Sequence, residues 1–338
     1  METVPKRQER VALWDNLKFF LILFVVIGHF VDYYIVAPTF QSIFIFIYAV
    51  HMPLFILIAG FFHRDANVPA KVVSYLICGF LLKFVMLFIN QAFEQEEKSF
   101  YIFTSNDISW FMFAMAAFVL MTYLIRELNK KLILLIVFLV ACIASYDNTM
   151  GDFLSWGRIV VFFPFYLLGS ILNPNFFLRI KKHRWSYPLG FSIIVLWGLL
   201  CYYFLEDIYK YRFMFTGHIP FSELPFEGGG IQTRLLVMLI SAVLCIGWIL
   251  LVPAGKIPLI STWGQRTLQV YFWHFPVLKI LIYFHITNMC QYAVGGKACY
   301  LLVALLLTCL LSTPIFGFPT SHVQTYIAKR KRRNINRV

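Results

Sequence analysis

His29 is the residue with the clearest means to do chemistry, because it stands inside the apolar run 17–36. A titratable ring at that depth is costly in lipid and usually faces a cavity or a partner. Asp15 and Lys18 precede it by fourteen and eleven residues. At about 100° per residue, those offsets return all three to nearly one side of a helix. The stripe runs from two charges at one membrane surface to an imidazole roughly 16 Å deeper. That pattern points to chemistry within the membrane.

Other polar residues fall at similar depth. His51 lies near the middle of the run 42–62, and Met52-Pro53 after it should interrupt helix hydrogen bonding locally. His274 follows Tyr271 by one turn and precedes Pro276. Trp110 and Arg158 stand near the outer ends of their segments. A lone membrane histidine is more often a hydrogen-bonded packing group than a catalyst. His29 is favoured because charges share its stripe, and for His51 the freed carbonyls beside Pro53 make packing an equal alternative.

The elements that must hold these residues are membrane helices. Of 338 residues, 60% are hydrophobic and 13% charged, a balance no soluble domain of this size carries. The fold class is all-α, a polytopic integral membrane bundle of about ten transmembrane helices. Spans are expected at 17–36, 42–62, 72–90, 108–125, 132–145, 156–172, 189–205, 235–252, 268–286 and 298–318. They divide the chain into a basic leader (1–16), the membrane domain (17–318) and a basic tail (319–338). The apolar run after the leader lacks a small-residue cleavage site, so the first helix is expected to be retained.

The net charge of +13 is not spread evenly. Lys6, Arg7, Arg64, Lys71, Lys130, Lys131, Lys181 and the tail cations fall on one side, and Glu94, Glu96, Asp107, Asp147, Asp152, Glu206 and Glu227 on the other. The alternation follows the positive-inside rule and predicts a multi-pass protein with both termini cytoplasmic. It argues for contact with anionic membrane lipid and against nucleic acid as a partner. The seven cysteines make no CxxC and no metal spacing with histidine, so no metal is expected. Cys290 and Cys299 flank the last outer loop. The segment 206–234 is the longest loop, with Tyr209, Arg212, His218, Pro220, Pro225 and Gly228-Gly229-Gly230, and reads equally as a lid or a solvated linker. There is no P-loop, GxGxxG or GxSxG.

These pieces, in this order, resemble a known family. Trp14-Asp15-Asn16-Leu17-Lys18 with Gly28-His29 is similar to the opening of the acyltransferase-3 family of integral membrane acyltransferases. His51-Met52-Pro53 through Gly60-Phe61, Trp110-Phe111-Met112, Phe162 through Gly169, and Gly264 through His274 resemble its later motifs. The likeness leans toward the fucose 4-O-acetylase-like branch. Many members carry arginine where this chain has Lys18, which keeps the charge and loses bidentate phosphate geometry.

The resemblance implies transfer of an acetyl or similar acyl group to a hydroxyl of a cell-surface or lipid-linked glycan, at a plasma membrane, bacterial by the family's habit. Acyl-CoA, acetyl-CoA first among its forms, would be a co-substrate rather than a tightly bound cofactor. On that reading Lys18 and Arg64 meet the CoA phosphates, His29 acts as base and Asp15 balances or orients Lys18. Arg158, His274 or Tyr271 stabilises the oxyanion or positions the acceptor, with His51 and Trp110 lining its site. Direct transfer and an acyl-histidine relay both fit. The rival reading is a transporter or flippase for a lipid-linked sugar, since buried histidines also mark proton-coupled transport.

Overall fold

A computed structural model describes residues 11–94, 107–149, 153–224, 229–286, 288 and 294–325. The leader cations Lys6 and Arg7, the acidic Glu96, Asp152 and Glu227, and Pro225, Gly228, Cys290 and the tail cations lie outside the described residues. The protein is all-α, with no strand among the described residues. Its helices are α1 (Ala12–Tyr33), α2 (Pro38–Tyr48), α3 (His51–Phe61), α4 (Val68–Ile89), α5 (Trp110–Leu124), α6 (Lys130–Ile143), α7 (Trp156–Ile171) and α8 (Pro174–Ile180). There follow α9 (Ser186–Tyr203), α10 (Leu205–Tyr209), α11 (Arg212–Thr216), α12 (Ile231–Leu251), α13 (Ile260–Trp263), α14 (Thr267–Tyr283) and α15 (Val294–Leu311).

Each expected span overlaps at least one helix, although 42–62 is shared between two and 298–318 runs past the end of α15. By length and apolarity together, five segments among the described residues qualify to cross a bilayer on their own, α2 and α3 counting as one. A sixth is α7 with α8, a pair bent by 76° where Pro174 opens a new helix capped by Asn173. The second span breaks at Ala49–Val50, so His51 begins α3 and Pro53 sits in its first turn, where a missing N–H is harmless.

α1 is the central helix, packed against α2, α3, α13, α14 and α15. Its buried Asn16 fastens it to the α12–α13 connection. The amide donates to the carbonyls of Pro253 and Gly255, both at 2.9 Å, and its oxygen accepts from Ser261 Oγ at 2.6 Å. Beside it, a Cβ on Gly264 would lie 1.8 Å from the Asp15 carbonyl oxygen, so only glycine lets the two backbones meet. The same logic joins α3 to α7. Cβ atoms on Gly60 and Gly169 would each come within 2.2 Å of a carbonyl oxygen on the facing helix, Tyr166 and Leu57 respectively.

Candidate active site

One face of α1 organises the interior. Lys18, Ile22, Val25, His29 and Asp32 follow one another at steps of four, three, four and three residues, and all five line cavities. Asp15 lies one turn before Lys18 and pairs with it at 2.8 Å. It does not reach the imidazole: fourteen residues of helix hold it about 21 Å from His29 along the axis. The structure thus keeps Asp15 with Lys18 and apart from the histidines.

Two cavities enter the bundle from opposite ends. The first, about 550 Å³, is lined mainly by apolar groups such as Phe55, Met112 and Met115, with Lys18 and Lys71 among its few charges. Arg64 does not line it. Its side chain is exposed beside the mouth, where its backbone carbonyl accepts from Lys71 Nζ at 2.7 Å. Lys71, in the first turn of α4 and seven residues beyond Arg64, is the second cation that lines this chamber. The second cavity, about 490 Å³, is the more polar of the two. His29, His51, Trp110, Arg158 and Tyr271 all line it. Val25, Met52 and Tyr271 line both cavities, so the two adjoin at a neck next to His29.

Around that neck, the side chains are held by their own helices. His51 Nδ1 lies 2.9 Å from the Ile47 carbonyl, across the break between α2 and α3, so Nδ1 carries the proton and donates. His274 Nδ1 likewise faces the carbonyls of Tyr271 and Val270, at 2.7 and 3.1 Å. Its Nε2 is then an acceptor, buried without a hydrogen-bond partner. His274 does not line the cavity. It sits behind His29, ring centres 5.3 Å apart. Tyr271 donates its hydroxyl to the Ile108 carbonyl, which fixes one wall of the neck. Arg158 lies over the Trp110 ring at 4.8 Å, a cation–π contact that aims the guanidinium across the polar cavity.

Residues that sequence reasoning left without a role complete the polar cavity. Asp32 is one of them, legible had the α1 stripe been extended one turn. Tyr209, Arg212 and His218 come from the long loop, whose α10 and α11 cover the cavity rather than trailing into solvent. Burial, with Arg158 nearby, pushes the His218 pKa down to about 3. The cover is pinned from below by the fully buried Arg234, which donates to the Met214 carbonyl at 2.6 Å and to Ser145 Oγ at 2.8 Å.

An apolar bundle with two substrate-sized chambers meeting at an imidazole pair has the layout of a membrane enzyme that joins two reactants. The family comparison gives its class: the model described as Acyltransferase domain (Acyl_transf_3) matches residues 11–317. The chain belongs to the acyltransferase-3 family and is a membrane acyltransferase. No curated protein and no solved structure matched it.

Proposed function

We propose that the protein transfers an acetyl or similar short acyl group from acyl-CoA to a hydroxyl of a glycan or lipid-linked glycan. The observation that carries this reading is the junction of the two cavities at His29. The basic, apolar-walled chamber suits a CoA donor. Its phosphates would meet Lys18 and Lys71, with Arg64 outside, as point charges, and its acyl-bearing arm would run along the α1 stripe toward His29. The polar, aromatic-lined chamber suits a sugar.

In the transfer, the acceptor hydroxyl oxygen attacks the thioester carbonyl while the His29 imidazole takes its proton. The C–O bond forms as the C–S bond breaks. The thiolate recovers the proton from the imidazolium, leaving an ester and free CoA thiol. Arg158 is the cation placed to stabilise the oxyanion, or with His51 and Trp110 to position the acceptor. His274, its Nδ1 committed to backbone carbonyls, packs behind His29 and orients the catalytic ring by contact. The basic ends predict donor entry from the cytoplasm, with both termini there, at a plasma membrane. The resemblance to the fucose 4-O-acetylase-like branch supports a sugar acceptor.

The test uses purified protein, acetyl-labelled CoA and a panel of lipid-linked glycans, with His29→Ala at matched folding. Labelled glycan from the wild type that falls at least a hundredfold in the variant supports the reading. Equal transfer by both removes His29 as the base. Movement of a lipid-linked sugar across vesicles with no acyl transfer overturns the enzyme reading in favour of a flippase.

A further inference from the structure

Asp32 stands in a poor place for a carboxylate. It occupies the last turn of α1, where the helix carries no basic residue and its own dipole disfavours negative charge. It lies three residues beyond His29, one turn toward the polar chamber's mouth, with Cβ atoms about 5–6 Å apart. From the cover, Arg212 lines the same chamber and lies within electrostatic reach of Asp32. Neither forms an ion pair among the described residues. The guanidinium lies 4.1 Å from the Phe213 ring and 4.6 Å from the Tyr209 ring, and one of its nitrogens donates to the Tyr209 carbonyl at 3.5 Å, which leaves its other N–H groups for a ligand. A carboxylate and a guanidinium thus face one space beside the catalytic ring, both with hydrogen-bonding capacity to spare.

The remaining charges bear on the class of ligand. The polar chamber is lined by Arg158 and Arg212 and by Asp32 and Asp107, two of each sign. A balanced lining gives no net attraction to a uronate or a phosphate. Neighbouring hydroxyls on a sugar ring fit instead. An ionised carboxylate accepts from two donors, and a guanidinium gives two.

We propose that Asp32 and Arg212 are positioning residues that clamp an uncharged acceptor sugar by the hydroxyl adjacent to the one being acylated. Asp32 accepts from that adjacent hydroxyl and Arg212 donates to its oxygen, which sets the reacting hydroxyl against His29. The substrate class is a sugar ring with a vicinal hydroxyl pair at the acylated position. This inference rests on the acyl-transfer reading above.

The experiment measures kcat and KM for acetyl transfer from acetyl-CoA to methyl galactoside, mannoside and glucoside, and to their monodeoxy derivatives. Wild type, Asp32→Asn and Arg212→Gln are compared, each first matched for thermal unfolding in detergent. The expected result is that the wild type loses at least tenfold in kcat/KM when the adjacent hydroxyl is removed. In either variant the parent sugar binds more weakly, seen in KM, and parent and deoxy sugars become equal. A merely structural role would not erase that difference. The same deoxy penalty in both variants overturns the clamp while leaving acyl transfer standing. So does transfer to lipid-linked glycans with none to the monosaccharides, or a preference for a charged ring. Absence of transfer to any acceptor overturns the functional reading and the clamp with it.

Discussion

At the scale of single residues, two imidazoles that composition alone makes equivalent stand in different surroundings. His29 faces the polar chamber, whereas His274 is buried behind it with its Nδ1 committed to backbone carbonyls. His274→Gln is therefore expected to lower kcat by about tenfold to a hundredfold while leaving acceptor KM near the wild-type value. That is milder than His29→Ala, and steady-state kinetics on matched preparations would check it. A second residue-scale prediction concerns His218 in the cover. Its folded pKa, about 3, lies below the ordinary histidine value near 6.5, so between those values the unfolded chain binds more protons. Stability should fall as pH drops through that window. Melting in detergent from pH 7 to 5 should show the slope, and His218→Gln should flatten it. Equal slopes would refute the assignment.

At the scale of elements, glycines decide how closely helices can meet. Gly60→Ala or Gly169→Ala puts a methyl group against facing backbone at 2.2 Å, and the α3–α7 pair has no flexible atom to move. The expected loss is about 1–3 kcal/mol or more, read as a lower melting temperature. Gly198→Ala, whose Cβ would sit 3.7 Å from Phe46, should be tolerated or slightly stabilising. The helices themselves were legible in the sequence because hydropathy and Pro53 mark where apolar segments start and break. The site was legible where it followed helical periodicity: His29, His51, Tyr271, Arg158 and Trp110 converge on one chamber. What stayed hidden depended on the fold. Lys71 lines the first chamber because the turn between α3 and α4 sets the start of α4 beside it, a course that periodicity cannot give. Arg212 and His218 reach the chamber only because α10 and α11 fold back. Asn16 has partners more than two hundred residues away, so nothing local distinguishes it from a helix-start asparagine.

The whole molecule behaves as two half-sites separated by Val25, Met52 and Tyr271. Val25 is β-branched and Tyr271 is tied to the Ile108 carbonyl, which leaves Met52 as the adaptable wall. Met52→Trp should close the passage, cutting transfer at least tenfold while CoA still binds from the Lys18 end. Transfer assays beside CoA-binding isotherms separate the two effects, and loss of both together would point to misfolding. The fastening of α1 by Asn16 also has a consequence for biogenesis. α1 is made well before Pro253, Gly255 and Ser261, so it finds its polar partners only when they follow. Until then, Asn16 and His29 wait in the translocon or lipid without their final surroundings, and α1 is held only provisionally. Truncated chains released from the ribosome after residue 245 should let α1 slip to alkaline extraction, whereas chains released beyond residue 265 should hold it. The order of synthesis thus runs opposite to the order of commitment, and the central helix of this enzyme is among the last to become irreversible.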